Sequence, residues 1–299
     1  MFPNLRHLDI DKTRSTKFSL CDPEPILLLR GAPRLQTLIF RAPWGERHVH
    51  QKSDSGIQEL CAGVTNITEL QILGLPLFEG DWQTRALERI LGAARNLKSF
   101  KFVAVVDGLW QSHVHSRIPP AQLLEALNSQ TQTTLQRLSL NFNRANSRLQ
   151  RKPITPQQIK QFTSLDTLEL DPSCYCTKRM TKEGIAQETY LVDFLPRTVH
   201  TLTIFLDEWT KYGLVHDSTL LAQRVVSGEF PNLKRVEAEA PIWGMRPLSS
   251  LYDESSTIDD WAKEQRVKPS GIEMWGKAFQ DEFVGSGVET RFKTWFIYH

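Results

Sequence analysis

The sequence has few cysteines and no large excess of charge of either sign. Its 299 residues include four cysteines, Cys21, Cys61, Cys174 and Cys176, without regular spacing, which favours a reducing compartment over a disulfide framework. The 36 basic and 34 acidic residues leave a net charge of +2. No overall field would therefore hold nucleic acid or an anionic membrane by charge alone, and we predict neither as a partner.

Export signals and membrane-spanning runs are also missing. The opening residues MFPNLRHLD lack the basic region and apolar run of a secretory signal, and no stretch approaches the roughly 20 apolar residues of a transmembrane helix. We therefore expect an intracellular protein of the cytoplasm or the nucleus.

Patterns that accompany catalysis or cofactor binding are incomplete. The sequence has neither a Gly-x-Ser-x-Gly elbow nor a His-Glu-x-x-His pair. The segment GIEMWGKA, residues 271–278, matches a phosphate-binding loop except at Ala278, which lacks the hydroxyl that coordinates magnesium. We predict no catalytic residue and no cofactor; scattered Asp, His and Ser leave an enzyme as the less favoured alternative.

Three pairs of metal-binding residue types also occur. They are His48/His50, His113/His115 and Cys174/Cys176. Residues two apart in an extended segment point to the same side, as a metal site needs. However, no acidic or cysteine ligand accompanies the histidines, and zinc knuckles separate their cysteines by two to four residues. We therefore predict no metal.

A repeated phrase is the strongest positive feature of the sequence. Pro-x-Leu-x-x-Leu-x-Ile/Phe appears at residues 3–10 and 33–40, and its three apolar positions recur six more times. The eight sets are Leu5/Leu8/Ile10, Leu35/Leu38/Phe40, Ile67/Leu70/Ile72, Leu97/Phe100/Phe102, Leu135/Leu138/Leu140, Leu165/Leu168/Leu170, Val199/Leu202/Ile204 and Leu233/Val236/Ala238. Successive copies begin 30 to 38 residues apart, which exceeds the roughly 20 to 29 residues of a typical leucine-rich repeat.

The long segments between the copies carry helical patterns. Apolar residues at helical spacing predict helices over 82–94 and 119–127, and segments 57–61, 157–162 and 217–226 occupy the same place in their repeats. Strands that alternate with helices in a repeat predict an α/β solenoid, an irregular leucine-rich-repeat horseshoe. Its parallel sheet would line the concave side and its helices the convex side.

This pattern resembles the leucine-rich-repeat region of fungal F-box-like proteins over residues 1–240. The resemblance lies in the Pro-x-Leu-x-x-Leu-x-Leu strands, the long helical connections and the scattered tryptophans. It implies that the repeats bind a substrate protein, while a preceding F-box would dock on the Skp1 adaptor of a cullin ubiquitin ligase. This sequence contains no F-box, and its first residues already lie in a repeat. We therefore expect a C-terminal portion or a truncated gene product, with Skp1 and cullin as partners only of a longer form.

Residues 241–299 depart from the repeat and are predicted to cap its end. This segment holds Trp243, Trp261, Trp275 and Trp295, half of the eight tryptophans. Thr257 and Asp260 resemble a capping box, residues 271–283 have helical spacing, and 288–298 predict one or two last strands. An aromatic partner-binding surface is the alternative interpretation.

The residues flanking the inward leucines are the candidate binding residues, because alternate strand residues point away from the core. The central row would hold Asp9, Ile39, Gln71, Lys101, Ser139, Glu169, Thr203 and Glu237. The adjacent row would hold His7, Thr37, Glu69, Ser99, Arg137, Thr167, Thr201 and Arg235. From these rows we select Lys101, Arg137, Ser139, Thr167, Glu169, Thr201, Thr203, Arg235 and Glu237.

The mixed signs of these rows suit a protein partner better than a phosphate backbone. We therefore expect a protein–protein interaction module, and the resemblance implies that it is the substrate-recognition part of an F-box-type ubiquitin ligase. A leucine-rich-repeat scaffold or regulator without a link to ubiquitin is the alternative function. A sheet face that is merely solvated and binds no partner is the alternative interpretation of the two rows.

Overall fold

The computed structural model describes eleven parts of the chain. These are residues 2–11, 23–41, 54–74, 82–104, 119–142, 153–175, 180–181, 184–185, 191–206, 211–244 and 270–298.

A nine-stranded, all-parallel, open sheet organises the described chain. Its strands lie side by side in sequence order. They are β1 (His7–Asp11), β2 (Thr37–Arg41), β3 (Glu69–Leu73), β4 (Ser99–Val103), β5 (Arg137–Asn141), β6 (Thr167–Leu170), β9 (Thr201–Phe205), β10 (Arg235–Gly244) and β11 (Glu289–Tyr298). The short strands β7 (Met180–Thr181) and β8 (Gly184–Ile185) form a separate antiparallel pair.

Each of the eight predicted apolar sets supplies one strand of this sheet. The second and third residues of each set lie in the strand, two apart, and therefore point to the same face. Leu70 and Ile72 of β3, for example, are fully buried. The predicted strand over 288–298 is also confirmed, since β11 is the ninth strand.

A repeated backbone contact fixes the register where the strands begin. The backbone carbonyl of the residue just before a strand accepts hydrogen bonds from two N–H groups of the next repeat. The Arg6 carbonyl accepts from Gln36 and Thr37 at 2.8 and 2.9 Å, and the Gln36 carbonyl accepts from Thr68 and Glu69 at 2.8 and 3.0 Å. The same pattern continues as far as β10. Each strand is thus aligned by its neighbour.

Helices alternate with the strands. They are α1 (Pro23–Gly31), α2 (Asp54–Gly63), α3 (Trp82–Ala93), α4 (Pro120–Thr131), α5 (Pro156–Lys160), α6 (Leu191–Phe194), α7 (Lys211–Val226) and α8 (Ser270–Glu282), with a 3-10 turn at Pro172–Cys174. Consecutive helices contact one another from α1 to α8 and form one layer beside the sheet. No described helix combines the length and the apolar character needed to cross a bilayer.

The core lies between the helix layer and the inward face of the sheet. Phe100 and Phe102 of β4 are fully buried, as are Leu87 and Leu91 of α3, and all belong to one continuous cluster. The predicted helix over 82–94 is confirmed as α3. An amphipathic helix and a strand with one apolar face can each bury that face only against the other.

The C-terminal segment continues this architecture. β10 extends past residue 240 to Gly244 and pairs with β11 over ten residues. Helix α8 contacts both α7 and β11, which confirms the predicted helix over 271–283. Thr257, Asp260 and Trp261 lie outside the described residues. The division into a repeat region ending at 240 and a cap stays a prediction.

Candidate interaction surface on the helix-free sheet face

The sheet face opposite the helix layer is defined by the first, third and fifth residues of the strands. We call it the helix-free face. The strand register aligns the third residues Lys101, Ser139, Glu169, Thr203 and Glu237 as direct neighbours. It likewise aligns the first residues Ser99, Arg137, Thr167, Thr201 and Arg235. The nine selected residues therefore form two adjacent rows.

At the β1 end of this face, polar side chains are paired with one another. The Arg41 Nε donates to both carboxylate oxygens of Asp9, at 3.1 and 3.0 Å. Glu69 accepts from the Thr37 hydroxyl at 3.3 Å and from the Gln71 amide at 2.7 Å. These contacts join β1 to β2 and β2 to β3 through their outward side chains.

At the β11 end, a network of ion pairs joins β10 to β11. Arg235 donates to Glu289 at 2.9 Å, and Arg291 donates to the same carboxylate. Lys293 lies 2.5 Å from a carboxylate oxygen of Glu237. The hydrogen bonds from Arg291 and Arg235 lower the pKa of Glu289, and the hydrogen bond to Glu237 raises the pKa of Lys293.

Two of the selected residues, Arg235 and Glu237, therefore already have partners within the sheet. Glu237 is 7% exposed, and its charge is balanced by the cations around it. A buried carboxylate needs such compensation to remain ionised. The principal contacts of Arg235 and Glu237 thus join β10 to β11.

The centre of the face differs from both ends. No hydrogen bond or ion pair joins the side chains of Lys101, Arg137 or Glu169 to another described residue. Lys101 and Glu169 are partly exposed and Arg137 is exposed. Ser139 is 6% exposed, and its hydroxyl has no hydrogen-bond partner among the described atoms. We call these four residues the central cluster.

The geometry of the central cluster follows from the register. Lys101 on β4 and Glu169 on β6 flank Ser139 on β5 in one row, so their Cα atoms are about 10 Å apart at the usual strand spacing. Arg137 precedes Ser139 by two residues and faces the same way. The cluster thus presents two cations and one anion around a buried hydroxyl.

The row of fifth strand residues beside the central cluster is partly apolar and is interrupted by Asn141 of β5. The fifth residues Leu73 and Val103 are direct neighbours and partly exposed, and Phe205 is 9% exposed in the same row. The sequence signal for these positions is the apolar residue that directly follows Ile72, Phe102 and Ile204, the third residues of their sets. Apolar groups beside charges are typical of protein interfaces.

The three selected threonines complete the rows without forming a polar site of their own. Thr167 donates to Asp166 at 3.2 Å, Thr201 is partly exposed, and Thr203 is 5% exposed. They provide small, polar neighbours beside Arg137 and Glu169.

The weaker sequence motifs have structural roles where the structure describes them. In the segment that resembles a phosphate loop, Gly276 faces β11, because a Cβ there would lie 2.7 Å from the Phe292 ring. Cys174 is buried, and its thiol donates to the Leu140 carbonyl at 3.7 Å. Cys176 and the two histidine pairs lie outside the described residues.

Metal-binding groups do not converge within the described ranges. No set of three or more His, Cys, Asp or Glu side chains in these ranges is arranged to hold a metal ion.

The sequence matches no protein-family model, and it matches no curated protein. The fold and the helix-free face are therefore the basis for a functional assignment.

Proposed function

We propose that this chain is a leucine-rich-repeat solenoid that binds a protein partner on its helix-free face. The observation that supports this role is the central cluster. Charged side chains pair with each other at both ends of the face, whereas Lys101, Arg137 and Glu169 pair with no described residue. A partner that brings complementary charges would satisfy them, together with the Ser139 hydroxyl.

The assignment as a leucine-rich-repeat solenoid is supported by three features. The apolar phrase recurs eight times, the strands lie in sequence order in a parallel sheet, and the helices form a single layer. In such arrays neighbouring helices lie farther apart than neighbouring strands. The array therefore bends toward the strands, and the sheet becomes the concave side. We propose this curvature for the present chain, with the central cluster near the middle of the concave surface.

The composition of the surface favours a protein over a polyanion. Glu169 stands two strands from Lys101 and would repel a phosphate backbone that approached the two cations. The neighbouring Leu73 and Val103 offer apolar contact area, which a phosphate backbone would not use.

Charge reversal at Arg137 tests the proposal. Proteins captured from cell extract by the wild-type chain should be lost with Arg137→Glu and retained with Arg95→Glu. Arg95 is also exposed but lies in the turn between α3 and β4, outside the strands. Quantitative mass spectrometry of the three captures gives the readout, and unaltered thermal melts establish that both variants fold. If no captured protein distinguishes Arg137→Glu from Arg95→Glu, the helix-free face is not the binding surface.

The narrower role, as the substrate-recognition part of an F-box-type ubiquitin ligase, is proposed from the resemblance of the repeats. Capture with a longer natural reading frame tests it. Skp1 and cullin should be recovered with a longer form that carries an F-box. Recovery of neither would favour the ubiquitin-independent scaffold, which the same face would serve.

A further inference from the structure

The outer edges of the nine-stranded sheet are open in the part of the chain that the structure describes. Among the described strands, β1 pairs only with β2, and β11 pairs only with β10. An open edge presents a row of backbone N–H and C=O groups that can pair with another strand. β11 is long for an edge strand, with ten residues.

The charges on the last two strands alternate in sign from one strand to the next. β10 presents Arg235, Glu237 and Glu239, and β11 presents Glu289, Arg291 and Lys293 at the paired positions. At each of these three paired positions, a cation on one strand thus lies beside an anion on the other. The ion pair between Lys293 and Glu239 at 3.5 Å belongs to the same pattern.

The first strand carries the signs that would continue this alternation. β1 presents His7, Asp9 and Asp11 at the three equivalent positions. If β1 of a second copy paired with β11 in the register used between all neighbouring strands, Asp9 would lie beside Arg291 and Asp11 beside Lys293. On the far side, β2 supplies Arg41, which already pairs with Asp9 at 3.0 Å. At the fifth position the sign would therefore alternate across β10, β11, β1 and β2, through Glu239, Lys293, Asp11 and Arg41.

Exposed apolar side chains are found at the same two ends. The large hydrophobic residues that are most exposed among those described are Phe2 at 53%, Leu27 at 64%, Val226 at 69% and Val284 at 79%. Phe2 and Leu27 belong to the first repeat, and Val284 lies in the segment between α8 and β11. Val226 ends α7, which contacts α8. Contact between the ends of two copies would bring such residues together.

We propose that copies of this chain associate head to tail, with β11 of one copy pairing in parallel with β1 of the next. The contact uses different surfaces on the two copies, so it leaves one open edge at each end of a dimer. Such a contact allows further growth unless the rotation between copies closes a ring. It employs the sheet edges and leaves the helix-free face of every copy available.

Sedimentation velocity over a range from micromolar to several hundred micromolar tests the proposal. The wild-type chain should form dimers and larger species as its concentration rises, and high salt should weaken them because exposed ion pairs are screened. Asp9→Lys/Asp11→Lys should raise the dissociation constant at least about tenfold, because like charges would then face each other across the edge. Asp193→Lys, an exposed carboxylate on α6, should leave association unchanged.

A mixing experiment tests the direction of the contact. The Asp9→Lys/Asp11→Lys chain keeps an intact β11, so it should add to the free β1 edge of a wild-type assembly and stop further growth there. Adding it should therefore reduce the mean size of wild-type assemblies, whereas adding Asp193→Lys should not. A wild-type chain that stays monomeric at every concentration would overturn the proposal. So would an assembly that the β1 substitutions neither weaken nor shorten.

Discussion

At the scale of single residues, inward leucines and outward polar residues alternate within β6, Thr167–Leu170. Leu168 is fully buried, whereas its neighbour Glu169 is partly exposed and has no partner among the described residues. The two positions are one residue apart, yet they face opposite environments. Substitutions at such a pair separate the contribution of the core from that of the surface.

Leu168→Asp should lower the free energy of unfolding by about 4 kcal/mol or more, because a carboxylate would enter an apolar core without a partner. Glu169→Gln should change it by less than about 0.5 kcal/mol. Urea denaturation followed by circular dichroism measures both values. Equal stability of the two variants would contradict the assignment of Leu168 to the core.

The capping box of α5 is a second feature at this scale. The Thr155 hydroxyl accepts from the Gln158 backbone N–H at 3.3 Å, and the Gln158 side chain accepts from the Thr155 N–H at 2.8 Å. We expect Thr155→Ala to cost about 1 kcal/mol in unfolding free energy. Gln157→Ala, at an exposed position of the same helix, is the control and should have little effect. Similar losses for both would show that the cap is not the cause.

At the scale of elements, close contact between neighbouring helices requires a residue without a side chain. A Cβ added at Gly63, the last residue of α2, would lie 2.7 Å from the Leu29 Cβ of α1. By contrast, no atom of the described residues lies within 4 Å of a Cβ added at Gly92 in α3. The same substitution at these two glycines should therefore have opposite effects.

Gly63→Ala should destabilise the protein by about 1–3 kcal/mol, because α1 and α2 must separate to admit the methyl group. Gly92→Ala should stabilise it by up to about 1 kcal/mol through the higher helix propensity of alanine. Parallel thermal and urea melts give both signs. A stabilised Gly63→Ala variant would mean that α1 and α2 do not pack as described.

The attachment of β11 to β10 should depend on pH. The hydrogen bonds from Arg291 and Arg235 lower the pKa of Glu289, so this carboxylate stabilises the fold above its ordinary pKa, and the stabilisation is lost as the pH falls through its lowered value. We expect wild type to be more stable than Glu289→Gln at neutral pH and the two to converge in acid. Thermal melts across this pH range test it, and a constant difference would contradict it.

At the scale of the whole molecule, each repeat is stabilised by the repeats beside it. Inner strands have a neighbour on both sides, whereas β1 and β11 each have one among the described strands. In such an array the end repeats open more readily than the central ones.

Hydrogen exchange read by mass spectrometry should therefore rank the strands. We expect the backbone amides of β4, β5 and β6 to exchange most slowly and those of β1 most rapidly, because opening β1 breaks a single set of inter-strand contacts. Uniform protection from β1 to β6 would indicate that the sheet opens only as one unit. At high concentration, head-to-tail association would slow exchange in β1 specifically.

The strands could be predicted from the sequence because their signal is local. In each repeat a few apolar residues at fixed spacing define both the strand and its inward face. The same applies to α3, whose apolar residues recur at helical spacing. The sequence pattern does not predict helix α1, because Ile26, Leu27, Leu28 and Leu29 form a continuous apolar run, which has no distinctive period. In the structure Leu29 is buried and Leu27 is exposed.

By itself, the sequence determined the repeat, the strand positions and which strand residues point away from the core. All three follow from the spacing of apolar residues along the chain. The tertiary structure alone decided which polar residues find partners. Glu289 meets Arg235 from 54 residues away and Lys293 meets Glu237 from 56, whereas Lys101, Arg137 and Glu169 meet no described partner. Such contacts depend on which strands become neighbours and in what register, and no local spacing encodes that.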